Sequence, residues 1–138
     1  MEERRQDDTI NRPEGERTLD APLVTIDLPE YVEQIKSEKM WLKRDHNAIT
    51  VFKGNQLTIV LVAMHPNSEI RAQRPKHLWT AQILNGSVQL ITQETQTPLQ
   101  QGQISVLHAG VPYVMQAQEE SLLLLTVAGE EAEEDMPS

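Results

Sequence analysis

From Ala48 to Val127 this chain is built of short runs whose apolar residues recur at every second position, with no helical period between them. Nothing else in the sequence limits the fold as much. Successive side chains of a strand point to opposite faces, so alternation marks strands with one buried face. The runs are Ala48–Lys53, Gln56–Met64, Leu78–Leu84, Ser87–Thr92, Ile104–His108, Tyr113–Ala117 and Leu122–Val127. Turn chemistry separates them. Gly54-Asn55 and Asn85-Gly86 stand at hairpin spacing, and Asn-Gly supplies the positive φ that a type I′ turn requires. Short strands at regular spacing predict an all-β sandwich or barrel. Leu57–Met64 and Leu122–Leu125 are apolar almost throughout, as strands buried on both faces are. One face of each is expected to line the barrel and the other to meet a helix or a second subunit.

The flanks read differently. Residues 1–20 are charged, include Pro13 and Gly15, and show no apolar period, so a disordered leader is expected. Residues 129–138 (GEEAEEDMPS) read as a disordered acidic tail. Between them, 21–128 is expected to form one domain. Leu23–Leu28 alternates and predicts a short N-terminal strand. Pro29 suits a first helical turn and opens a helix predicted over Pro29–Lys39, with Tyr31, Val32 and Ile35 on the face that packs on the barrel.

Charge and composition exclude several functions. The net charge is −9 and no basic stripe exists, so neither nucleic acid nor an anionic membrane surface is an expected partner. The chain has no cysteine, which removes disulfides, zinc thiolates, iron–sulfur clusters and a thiol nucleophile together. The opening MEERRQDD lacks the apolar core of a signal peptide, and the apolar runs are too short to span a bilayer. A soluble, cytoplasmic protein is expected. There is no phosphate-cradling glycine loop, dinucleotide fingerprint or Gly-x-Ser-x-Gly elbow. Glu69 and Asp45 do not form a flanking pair for acid–base work.

The segment Gly102–Ala117 (GQISVLHAGVPYVMQA), with Gly86 upstream, resembles the signatures of the cupins. The second cupin signature runs glycine, five residues, proline, any residue, glycine, two residues, histidine. Here Gly102 and Gly110 hold the glycine positions, His108 stands at the proline and Tyr113 at the histidine. With Gly86 as the glycine of the first signature, Trp79 stands at the glutamate. The two histidines fall at Gln73 and Pro75, or at Ala72 and Arg74 with the longer spacing. The resemblance implies a small single-domain cupin: a double-stranded β-helix (jelly-roll) barrel with one short N-terminal helix. It also implies that the usual metal ligands are gone, since an indole N–H cannot ligate, proline has no donor, and an amide and a phenol make a poor remainder. No cofactor is therefore expected. If a transition metal is bound, the fallback ligands are His65, His77 and His108, all near strand ends. Taken singly, each of these, like His46 before the first strand, is read as a structural or solvated histidine.

If the signature positions face inward, Gln73, Trp79, Tyr113 and Met115 face the interior with His77 near the mouth. Trp79 either fills the space of a metal site or lines a small pocket, apolar with polar handles, together with Tyr113 and Met115. The favoured function is a non-catalytic or cryptic small-molecule-binding cupin that takes a small apolar or mixed-polarity ligand. The alternatives are a metal-dependent enzyme of dioxygenase or isomerase type and a structural or partner-binding module. A homodimer is expected, because a helix that covers one of the two almost continuously apolar strands would hardly cover both.

Overall fold

The computed structural model describes residues 21–129; the leader and the acidic tail expected at the two ends lie outside the described residues, Gly129 apart. The described chain forms α1 (Leu28–Ser37), α2 (Lys39–Lys43), β1 (His46–Lys53), β2 (Leu57–Met64), β3 (Glu69–Ala72), β4 (Trp79–Asn85), β5 (Ser87–Ile91), β6 (Gln96–Gln100), β7 (Ile104–Leu107), β8 (Tyr113–Ala117) and β9 (Ser121–Ala128). They build two antiparallel sheets, one of five strands in the order β1-β2-β9-β4-β7 and one of four in the order β3-β8-β5-β6. This is the all-β jelly-roll arrangement predicted.

Pairing explains the two apolar runs. β9 lies between β2 and β4, so β2 and β9 form the middle of the larger sheet. They pair along their full length, from Leu57 opposite Ala128 to Met64 opposite Ser121. Their inward residues Val60, Val62, Met64, Leu123, Leu125 and Val127 join Ile70, Ile83, Val88, Leu90 and Leu99 in the interior. Their outward residues Leu61, Ala63 and Leu122 join Ile35, Trp41, Ile49 and Val51 in a second cluster beneath the helices. Each fully buried aliphatic side chain contributes about 1.5–3 kcal/mol of transfer free energy, offset by the entropy of ordering the chain. Ile35 and Trp41 cover the outer faces of β1 and β2, and of β9 only Leu122 is buried in that cluster, with Leu124 half-buried beside it.

Several local expectations change. Residues 21–27 form no strand; Ile26 packs half-buried on the second cluster. The predicted helix is two, broken at Glu38, whose extended φ of −79° and ψ of 153° both end α1 and start α2. Pro29 stands in the first turn of α1 as expected. Gly54-Asn55 does connect a paired β1 and β2. Asn85-Gly86 closes no hairpin, because β4 and β5 belong to different sheets. Gly86 has a φ of +94° while Asn85 is not left-handed, so one glycine turns the chain from sheet to sheet. A Cβ there would overlap the Ser121 hydroxyl and the Glu120 carbonyl. Two strands were not foreseen, β3 and β6. The sequence of β6, QTPLQ, is polar and holds Pro98, which an edge strand tolerates because its outer N–H groups need no partner.

Candidate functional site

Trp79 opens β4 in one sheet and Tyr113 opens β8 in the other. Both side chains are 4% exposed. Their rings meet across the interior with centroids 4.6 Å apart and planes inclined at 46°. Register holds each in place. Trp79 lies between Leu107 of β7 and Val127 of β9, and Tyr113 lies opposite Ala72 at the end of β3. Met115, two residues along β8, is fully buried beside Ile70 and Leu90, its cross-strand partners.

The residues that make up this interior cluster are aliphatic or aromatic, and none carries an ionisable group other than the Tyr113 phenol. Within it, Trp79 Nε1 is buried with no hydrogen-bond partner among the described residues. An indole N–H is only ever a donor. Buried without an acceptor, it costs about 1–3 kcal/mol of lost solvation. Besides the Tyr113 hydroxyl, this core therefore holds an indole donor awaiting an acceptor.

The other expected site residues lie elsewhere. Gln73 is exposed, and its expected inward position is corrected. β3 ends at Ala72, so Gln73 belongs to the following loop, where strand parity does not hold. His77 is half-buried ahead of β4, its ring against the Gly129 backbone, where a Cβ would come within 3.2 Å of Nδ1. His65 stacks on the indole of Trp41 with centroids 3.5 Å apart and donates from Nε2 to the Trp41 carbonyl at 2.7 Å. It belongs to the helix contact, not to the interior. His108 is exposed after β7. His46, read as a solvated turn residue, is the buried first residue of β1, with Nδ1 2.8 Å from Asp45 Oδ1.

A metal of the kind the cupin resemblance implies does not fit these residues. Trp79 and Tyr113 hold two of the four ligand positions, while the histidine positions fall on a loop that offers exposed Gln73 and buried Pro75. Among the described residues no three histidine or carboxylate side chains gather as a metal requires, so His65, His77 and His108 are not brought together.

No family profile matches the chain, and neither does any curated protein. Solved structures do. The conserved protein SPY1581 of unknown function from Streptococcus pyogenes aligns at a TM-score of 0.58 and 24% identity, over 64% of this chain and 79% of that one. An RmlC-like cupin from Shewanella frigidimarina aligns at 0.59 and 14%, over 66% and 80%. The fold is the cupin barrel. Salicylate 1,2-dioxygenase from Pseudoaminobacter salicylatoxidans shares it at 0.64 and 17% identity, over 72% of this chain and 31% of that longer one. Cupin structures thus include enzymes, and the barrel alone does not specify the chemistry.

The sequence missed two functional-looking contacts. One is the Trp41–His65 stack; its signal was a second tryptophan just beyond the predicted helix. The other is Asn47, buried on β1, whose Nδ2 donates to the Ile35 carbonyl at 3.0 Å and to Glu38 Oε1 at 2.9 Å. Among the described residues, no helix is long and apolar enough to cross a membrane.

Proposed function

We propose that this protein is a non-catalytic cupin barrel that binds a neutral small molecule between Trp79, Tyr113 and Met115. The observation that supports this reading is the buried Trp79 Nε1 without an acceptor in an otherwise apolar interior. Such a site favours a ligand with an apolar body and one carbonyl, ether or hydroxyl oxygen to accept from Nε1. It disfavours a carboxylate, which would be buried without a counter-charge. No metal or other cofactor belongs to this reading, and its setting is taken to be the cytoplasm.

A panel of matched neutral and anionic ring compounds tests it. Binding to the native state raises stability by mass action, by about 2.7 kcal/mol at a hundred times Kd. Neutral carbonyl compounds should raise the thermal midpoint and their carboxylate analogues should not. A panel with no response rejects the proposal. So does protein, purified without chelator, that holds an equivalent of transition metal and loses it on His77→Ala or His108→Ala; that result would support the enzymatic reading, for which the likeness to a dioxygenase is the supporting observation.

A further inference from the structure

Trp79 and Tyr113 each open a strand, so the segments before them, residues 73–78 and 108–112, form one end of the barrel. Gly110 N donates to the Pro75 carbonyl at 2.7 Å and joins the two segments. β9 finishes at this end, since Val127 lies opposite Trp79. The turn between β1 and β2 is here too, since Leu57 lies opposite Ala128 and Lys53 opposite Thr58. One sign of charge prevails. Lys53, Arg74 and Lys76 are exposed, with His77 and His108 beside them. Of the described carboxylates only Glu94, in the turn between β5 and β6, lies at this end. The chain leaves through Gly129, which is anchored on both sides. Its N–H donates to the Gln56 carbonyl at 2.8 Å, and its carbonyl accepts from Thr58 Oγ1 at 3.3 Å. A φ of +111° takes Gly129 out of extended backbone, against the ring of His77.

We infer that residues 130–138 lie across this end of the barrel, over Trp79 and Tyr113, with their carboxylates on Arg74 and Lys76. Charge singles out this occupant. The net charge of −9 is unevenly placed: residues 21–129 are nearly neutral, and the excess acid lies in 1–20 and 130–138. Residues 130–138 hold Glu130, Glu131, Glu133, Glu134 and Asp135 and no cation. They set out from Gly129, at the same end as the exposed cations. Reach is ample. Nine residues span at most about 30 Å when extended, and two packed sheets stand about 10 Å apart. Residues 1–20 suit this end less well. Their arginines, Arg4, Arg5, Arg12 and Arg17, would meet the same cations, and they precede Ile26, which packs with the cluster beneath the helices. Each exposed ion pair is weak and screened by salt. A tethered segment, however, meets its site at an effective concentration on the order of millimolar, so several weak pairs suffice.

The chain has no cysteine, so S138C places a nitroxide at a single position of the full chain. Paramagnetic broadening of backbone amides then reads the contact itself, whether or not the interior binds a ligand. In dilute buffer the amides of Arg74, Lys76, His77, His108 and Gly110 should be broadened most. In about 1 M salt, where the Debye length is about 3 Å, that broadening should fall severalfold. R74E/K76E should lower it as much in dilute buffer. Both positions are exposed, so this variant should keep its thermal midpoint. A second variant leaves the barrel untouched: E130Q, E131Q, E133Q, E134Q and D135N together should give the same fall. Broadening that survives salt, or either set of changes, is that of a tethered label alone and overturns the inference. So does broadening centred on Lys36, Lys39 and Lys43 of the helices.

Discussion

Trp79 is a donor held where an acceptor would count most, because a hydrogen bond in an apolar interior is screened least. Two substitutions separate its ring from its N–H. Trp79→Phe keeps a ring against Tyr113 and removes the unpaired donor, so unliganded stability should change by less than about 1 kcal/mol in urea titrations. Trp79→Ala opens a cavity and should cost about 3–5 kcal/mol. In calorimetry, Trp79→Phe should weaken binding of a neutral carbonyl ligand about tenfold, or roughly 1.4 kcal/mol, and leave an acceptor-free analogue unaffected. Asn47 makes the complementary case. Its amide satisfies the carbonyl of Ile35 in the last turn of α1, which has no partner within the helix. Asn47→Ala should therefore cost about 1–3 kcal/mol by the same titration. These residues differ in how readable they were. The positions of Trp79 and Tyr113 follow from alternation within a strand, which the sequence displays. Gln73 sits past a strand end that no alternation marks. Asn47 and the Trp41–His65 stack depend on which helix returns to which strand, and that is settled only by tertiary packing.

At the scale of elements, the short helix α2 is held by little of its own. It spans Lys39–Lys43, shorter than an isolated helix needs, and its one buried residue is Trp41. Its stability comes from the contact of that indole with His65 and the outer face of the sheet. Trp41→Ala should cost about 3 kcal/mol. It should also open the segment to trypsin at Lys39, Lys43 and Arg44 well before the barrel is cut, which limited proteolysis would show. The crossing at Gly86 is similarly local. Gly86→Ala forces a side chain into a left-handed backbone against Ser121 and should cost about 1–3 kcal/mol from strain alone, read as a lowered thermal midpoint. The strands with strong alternation were legible from the sequence, and so was the helix that begins at Pro29. β3 was not, because Glu69–Ala72 is too short to display a period, and β6 was not, because its outward residues are polar and its proline suggests a loop. The connection at Asn85-Gly86 misled for a clear reason. Two adjacent strands and an Asn-Gly pair describe a hairpin, and in a two-sheet barrel the same residues can hand the chain to the opposite sheet.

For the whole molecule the decisive feature is the place of β9. The last strand of the described chain is the middle strand of the larger sheet, flanked by β2 on one side and β4 on the other. Without it the sheet falls into β1-β2 and β4-β7 pairs, and two-stranded units are marginal in water. A chain ended at Glu120 should thus lack a cooperative thermal transition and bind a dye for exposed apolar surface, whereas one ended after Gly129 should melt like the full chain. The same geometry governs how the protein is made. Synthesis proceeds from the N-terminus, so every other described strand leaves the ribosome before the central one. Until Ser121–Ala128 follows, β2 and β4 each present an open row of backbone donors and acceptors lined with aliphatic side chains, a template for pairing with other chains. The larger sheet can close only once Ser121–Ala128 has been made, and cells that release products truncated before it would release them with that slot unfilled.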